Sequence, residues 1–279
     1  MIIWIASYPK SGNTYLRSVL SAYYFSNDGK FNFDLLKNIN QFPDKKFSKS
    51  SFPNPKEASV NWINAQDKII SDKKIKFLKT HNCLAVVEGN KFTTPNHTLG
   101  VIYIVRDPRN IITSLKNHYS YDYKKSLKMM SNDQEFLFDK DSENNYSAFT
   151  FLSSWSNHYK SWVKSNIYKT MVIKFEDLEK NKFEKFKKLI IFVNKISNKK
   201  DNVDENKLYK CIKTTEFINL KRKEEKEGFF EAAVSKKDGK KLPFFNLGFK
   251  NKWEKILPID IKNKINYLFN EDLEFWGYK

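Results

Sequence analysis

Cysteine and arginine are scarce in this chain of 279 residues. The two cysteines, Cys83 and Cys211, lie far apart and in no metal-like spacing, which excludes a disulfide framework or a zinc scaffold. No apolar run approaches the roughly 20 residues of a membrane span. The first residues, Met1-Ile-Ile-Trp-Ile-Ala6, carry neither a basic leader nor a small-residue cleavage site, so the expected location is cytoplasmic. Disorder is excluded as well, because 40% of the residues are hydrophobic and 16% aromatic.

What is abundant is lysine. Fifty basic residues against 32 acidic ones give a net charge of +18, which invites a polyanion- or RNA-binding reading. The lysines are scattered, however, as in Lys182-Phe-Glu-Lys-Phe-Lys-Lys188, where they read as the wet face of a helix. They also accompany many Asn, Ile, Phe and Tyr residues, which share adenine- and thymine-rich codons. Placement of the four arginines (Arg17, Arg106, Arg109, Arg222) says more, since two of them fall in the tetrapeptide Arg106-Asp-Pro-Arg109.

Apolar patterning predicts buried strands at Ile2–Ala6, Ile75–Lys79, Val101–Val105 and Met171–Phe175. Helical spacing predicts helices over Thr14–Phe25, after Asp107, over Phe149–Val163, from Asp177 to about Lys195, and over Ile259–Phe269. Leu208–Ile212 and Phe217–Leu220 suggest further helical turns, and Lys236–Lys241 a basic loop. Residues 26–60 and 121–146 are polar and weakly patterned, so they read as long loops without helix. Strands alternating with helices imply an α/β fold, a three-layer α/β/α arrangement on a mainly parallel sheet. No repeat or linker interrupts the chain, so residues 1–279 are expected to form a single domain.

The strongest local signal is strand, then Tyr8-Pro9-Lys10-Ser11-Gly12-Asn13-Thr14, then helix. A helix start offers unpaired amides and about half a positive charge, so it holds phosphate. Gly12 permits close backbone approach, Ser11 and Thr14 add hydroxyls, and Lys10 adds a full charge. The loop lacks the Gly-Lys-Ser/Thr ending of nucleoside-triphosphate sites, and no Mg²⁺ carboxylate stands at another strand end. An unremarkable strand-to-helix turn is one alternative, and a small-molecule kinase is another.

Together with later segments, this loop resembles the sulfotransferases that use 3′-phosphoadenosine 5′-phosphosulfate (PAPS) and release the bisphosphate PAP. Tyr8–Thr14 looks like the family's 5′-phosphosulfate loop. Lys79-Thr80-His81 is similar to its strand-end Lys-Thr-His. Arg106, followed eight residues later by Ser114, is similar to its 3′-phosphate segment. Lys174-Phe-Glu-Asp-Leu178, Thr215-Glu-Phe217 and Asn246-Leu-Gly-Phe-Lys-Asn-Lys-Trp253 complete the order over almost the whole chain.

The resemblance implies a metal-free sulfuryl transfer, with a P-loop-like turn and PAPS as donor. It assigns His81 as general base, Lys10 to the leaving phosphate oxygen and Lys79 to the transferring sulfonate. Ser11, Gly12, Asn13 and Thr14 go to the 5′-phosphate, and Arg106 and Ser114 to the 3′-phosphate. Tyr15, Phe175 and Phe217 go to the adenine faces and Thr215 to its edge. Gly248 and Lys250 represent the late loop, where many members have Arg-Lys-Gly and this chain has Asn246-Leu247-Gly248, so that Lys250 or Lys252 would supply the charge. Bottom-up alternatives remain for each: Arg106 could pair with Asp107 or Glu176, and the aromatics could be core. His97, His118 and His158 read as structural. The implied acceptor is a small molecule or a glycan with a hydroxyl group rather than a nucleic acid, and residues 26–60 and 121–146 are expected to shape its site.

Overall fold

The computed structural model describes residues 1–48, 51–138, 145–234 and 239–279. The chain opens with β1 (Ile2–Ala6), buried throughout, and turns through Tyr8–Gly12 into α1 (Asn13–Phe25). Short 3₁₀ turns and a two-residue strand β2 (Asn40–Gln41) lead to α2 (Pro55–Ile70) and β3 (Lys76–Thr80). A small hairpin, β4 (Val86–Val87) and β5 (Asn90–Lys91), precedes the long β6 (Thr98–Val105) and α3 (Pro108–Tyr119). Next come α4 (Tyr123–Ser131), a second hairpin of β7 (Phe136–Leu137) and β8 (Thr150–Phe151), α5 (Trp155–Val163) and β9 (Thr170–Lys174). Helices then dominate: α6 (Asp177–Lys180), α7 (Lys182–Ile196), α8 (Glu205–Thr214) and α9 (Phe217–Glu227), with further helices at Trp253–Ile256, Ile259–Leu268 and Asn270–Phe275.

The central sheet runs β2-β3-β1-β6-β9 with every pairing parallel. Burial of β1 on both faces explains why its sequence is apolar without alternation. Ile3 and Ile5 point into one cluster with α1, α7 and α8, whereas Ile2, Trp4 and Ala6 point into another with α2, α3 and α5. The result is the three-layer α/β fold. Register brings the carboxyl ends of β1 and β3 level, since Ala6 lies opposite Thr80, while β6 runs two residues further, since Ala6 lies opposite Tyr103. Among the described residues no helix is long and apolar enough to cross a membrane.

Four expectations need correcting. Residues 26–60 are not free of helix: α2 starts at Pro55, with Asn54 accepting from the Glu57 amide and donating to the Glu57 carboxylate. Its buried face includes Ser59 and Gln66 beside Ala58, Trp62 and Ala65, which dilutes the apolar pattern. Within 121–146, Asp122 caps α4 at the Lys125 amide, and only Ser126, Met129 and Met130 are buried. Phe149–Val163 is not one helix either. Ser153 turns the chain at φ 58, Ser154 caps α5, and Phe149 and Leu152 reach the core from the strand side. The helix expected from Asp177 is interrupted at Asn181, giving α6 and α7. Of the basic loop 236–241, residues 236–238 lie outside the described residues, as do 139–144 of the second polar stretch.

Candidate active site

The carboxyl ends of the parallel strands open into one cavity of about 430 Å³, the usual ligand position for such sheets. Pro9, Lys10, Gly12, Asn13, Thr14 and Tyr15 line it from the first turn, Lys79 and His81 from the end of β3, and Arg106 from the end of β6. Ser114, Phe175, Phe217 and Gly248 line it as well. Four segments that are far apart in sequence therefore meet because four parallel strands end on the same side.

The turn is shaped for an anion. Gly12 has φ 98 and caps α1 without a side chain, and the first intrahelical bond is Leu16 N–H to the Gly12 carbonyl. The amides of Gly12 to Tyr15 precede that bond and are left for a ligand. Ser11 is different, because its amide donates to the Tyr8 carbonyl. Its buried hydroxyl has no partner among the described residues. A Cβ on Gly12 would sit 2.3 Å from Phe175. Gly12→Ala is therefore expected to lower stability by about 1–3 kcal/mol through strain and clash, visible as a lower denaturant midpoint; an unchanged midpoint would contradict this packing.

Asn13 turns its side chain inward. Its amide donates to the Ile5 carbonyl and to Ser7 Oγ, and Ser7 in turn stands against His81. The His81 Nδ1 lies 2.7 Å from the Ser7 carbonyl oxygen. A carbonyl only accepts, so Nδ1 carries the hydrogen and Nε2 keeps its lone pair. Burial, reinforced by the Lys79 charge, holds the imidazole well below its ordinary pKa, against the raising effect of the Ser7 carbonyl. The ring is neutral and poised to accept a proton. Behind it, Tyr103 donates to His158 Nδ1, and His158 Nε2 donates to the His81 carbonyl. His158 and His97, the latter hydrogen-bonded to Asp67, fall outside the cavity.

Lys10 sits at φ 67, unusual for a side chain with a Cβ, and its ammonium lies 4.4 Å over the Phe244 ring. Burial, then the charges of Lys79 and Arg106, lower its pKa to about 7, opposed by Glu231 and Glu224. Arg106 donates to two carbonyls, of Lys10 and Gly248, and its guanidinium lies over Phe175. The carboxylates that the sequence offered as its partners are used elsewhere. Asp107 pairs with Arg109, while Glu176 accepts from the Asp107 amide and from Tyr278. Arg106 thus keeps its charge for the cavity, and its buried Nε has no partner among the described residues.

Ser114 is joined to the late loop by Asn251, whose amide donates to it and to the Asn110 carbonyl. Two assignments need correction. Thr215 is fully buried, its hydroxyl donates to the Cys211 carbonyl, and it does not line the cavity. Lys250 is exposed and outside the cavity, and Lys252 pairs with Glu179. Asn251 occupies the position where a basic residue was expected. Phe175 lines the cavity, but its ring is taken up by Phe249 (4.8 Å, 20°), Arg106 and the Gly12 backbone, so it serves as floor. Tyr15 and Phe217 also line the cavity, and the Tyr15 hydroxyl is buried without a partner among the described residues.

Sequence reasoning missed several cavity residues, Glu231, His118 and Asn251 among them. Glu231 accepts from Arg17 (2.7 Å), Thr14 (3.2 Å) and Lys79 (3.4 Å). His118, pushed down to about 3 by burial and by Lys10 and Lys79, faces Phe244. Residues 26–60 and 121–146 contribute Gln41 and Leu137 to the lining. Among the described residues no group of three or more His, Cys, Asp or Glu could hold a metal ion.

Comparison with known proteins gives a consistent match. The family model of the sulfotransferase domain matches residues 2–277. Among solved structures, the chain is similar to mouse sulfotransferase SULT7A1 complexed with PAP, at 18% identity and a TM-score of 0.58, covering 97% of this chain and 83% of that one. It is also similar to retinol dehydratase in complex with androsterone and the inactive cofactor PAP, at 15% identity and a TM-score of 0.58, covering 98% and 80%. At these identities the structures bear on the fold.

Proposed function

The chain belongs to the sulfotransferase domain family, and from that premise we propose that it moves a sulfuryl group from PAPS to a hydroxyl group on a small-molecule or glycan acceptor, with His81 as general base. One observation carries this reading: a neutral imidazole whose Nε2 has no hydrogen-bond partner among the described residues lines the same cavity as Lys10, Lys79 and the start of α1. The fit to a phosphosulfate nucleotide is supported by the buried Arg106 Nε, partnerless among the described residues, and by the amides of the turn that precede the first intrahelical bond; Ser11, expected at the 5′-phosphate, does not line the cavity. The solved structures similar in fold are complexes with PAP.

When bound, PAPS supplies a sulfur whose bond to the 5′-phosphate oxygen breaks as the acceptor oxygen bonds to it. His81 Nε2 takes the acceptor's proton. Lys10, at the turn, is the group for the charge left on the phosphate oxygen, and Lys79 for the sulfonate oxygens. Arg106 and Ser114 are read as the 3′-phosphate site, because guanidinium binds phosphate bidentately with a permanent charge. We read residues 1–279 as one domain working in the cytoplasm, a location with which the two free, buried cysteines agree.

Arg106→Ala tests the donor reading. The native protein should bind PAP well ahead of adenosine 5′-phosphate, and the variant should lose that preference, as read by calorimetry. If the native protein shows no preference, the donor reading fails; equal weakening for both nucleotides would remove Arg106 from the 3′-phosphate.

A further inference from the structure

Among the described residues, Glu231 is the one acidic side chain that lines the cationic cavity. It stands beyond the end of α9, after the chain turns at Gly228 (φ 74) and sinks Phe229 among Phe33, Phe244 and Phe245. That anchor drives the following carboxylate inward. Its three donors come from two elements: Arg17 and Thr14 one turn apart on α1, and Lys79 at the tip of β3. Arg17 is itself fixed, buried and donating to the Leu36 and Ile39 carbonyls.

Two of those donors, Thr14 and Lys79, are the groups that the donor reading assigns to the phosphosulfate. A carboxylate offers two oxygens and one negative charge, much as the outer face of a sulfonate does. We infer that Glu231 occupies the sulfonate's place in the free protein and determines how strongly the site distinguishes PAPS from PAP. This inference rests on the donor reading above. PAP has no sulfonate and leaves Glu231 on Lys79. PAPS has to displace the carboxylate, which then returns as the sulfated product departs.

Glu231 is not a second general base. The Lys79 and Arg17 charges outweigh its burial and hold it well below the usual carboxylate range. In the free protein it compensates Lys79, whose own pKa is lowered by burial.

Two variants separate occupancy from simple charge. Glu231→Gln keeps an acceptor for Arg17 but removes the negative charge. Glu231→Asp keeps the charge and withdraws it by one methylene. Calorimetric titrations with PAPS and with PAP, without acceptor, give the ratio of the two affinities. The inference expects both variants to shift that ratio toward PAPS by about tenfold, which corresponds to about 1.4 kcal/mol. A through-space effect would instead tighten both ligands in parallel in Glu231→Gln and neither in Glu231→Asp. A ratio within twofold of the native one, or one shifted toward PAP, overturns the inference. Should Glu231→Gln fail to fold, Glu231→Asp carries the test. Failure of the native protein to bind PAP would sink the donor reading itself and is thereby distinguishable.

Discussion

His81→Ala is expected to lower turnover by about 10²–10⁴-fold, the usual contribution of a positioned general base, while PAP affinity stays nearly unchanged. The expectation follows from how the ring is held. Its Nδ1–H is committed to the Ser7 carbonyl, so only Nε2 faces chemistry, and neither nitrogen is assigned to the nucleotide. The pH dependence has a sign. Because burial keeps the imidazole neutral well below its ordinary range, the acid limb of kcat should fall below the usual histidine pKa near ~6.5. The same depression means that unfolded chains bind this proton more readily, so the contribution of His81 to stability is lost as pH falls below that unfolded value. Measuring kcat and PAP affinity side by side decides the matter. Loss of PAP binding would show that His81 holds the nucleotide, and a larger kcat loss in His118→Ala would move the base to the other imidazole of the cavity.

Lys10→Ala should damage rate and affinity together, because its charge meets the phosphate in both ground and transition states. Loss of a charge-assisted hydrogen bond worth about 1.5–3 kcal/mol corresponds to roughly 10–150-fold in PAP affinity. Loss of charge stabilisation on the departing oxygen is expected to cost a further ~10²–10³-fold in kcat. The pKa of about 7 adds a pH signature. A bound dianion raises it, so PAP binding should take up a proton just above neutrality, and affinity should decline as pH rises through that region. In the free protein the sign is reversed for folding. Burial of a lysine whose pKa is lowered opposes folding fully below about pH 7, and that penalty is relieved as pH rises toward the unfolded value of 10.5. Titrations in buffers of different ionisation enthalpy measure the uptake. No proton uptake in the native protein, or the same uptake in Lys10→Ala, would contradict the assignment.

How much of this was legible in the chain follows from where the physics is local. The central strands β1, β3 and β6 were readable because burial on both faces leaves short apolar runs bounded by polar turns; the edge strand β9 was readable from its own apolar run, although only Ile173 of it is buried. The first turn was readable because Lys10, Gly12 and Thr14 act within a few residues of one another. α2 and α4 were not, since each buries polar side chains and its start is marked mainly by a single Asn or Asp cap. Glu231 was invisible for another reason: a lone acid near a lysine-rich stretch reads as solvated, and only the burial of Phe229 turns it inward. Thr215 matched a short pattern, yet its hydroxyl was claimed by the preceding turn of α8, a competition that sequence does not reveal. Asn251 could not be distinguished from its neighbours Lys250 and Lys252 until the loop's path over α3 was known.

The most direct measurement is calorimetric titration of the native protein with PAP and, separately, with ATP–Mg²⁺. If the turn between β1 and α1 grips the phosphosulfate nucleotide, PAP binds with one site per chain, and at a hundred times Kd it stabilises the fold by about 2.7 kcal/mol. Binding of ATP–Mg²⁺ with none of PAP would contradict it.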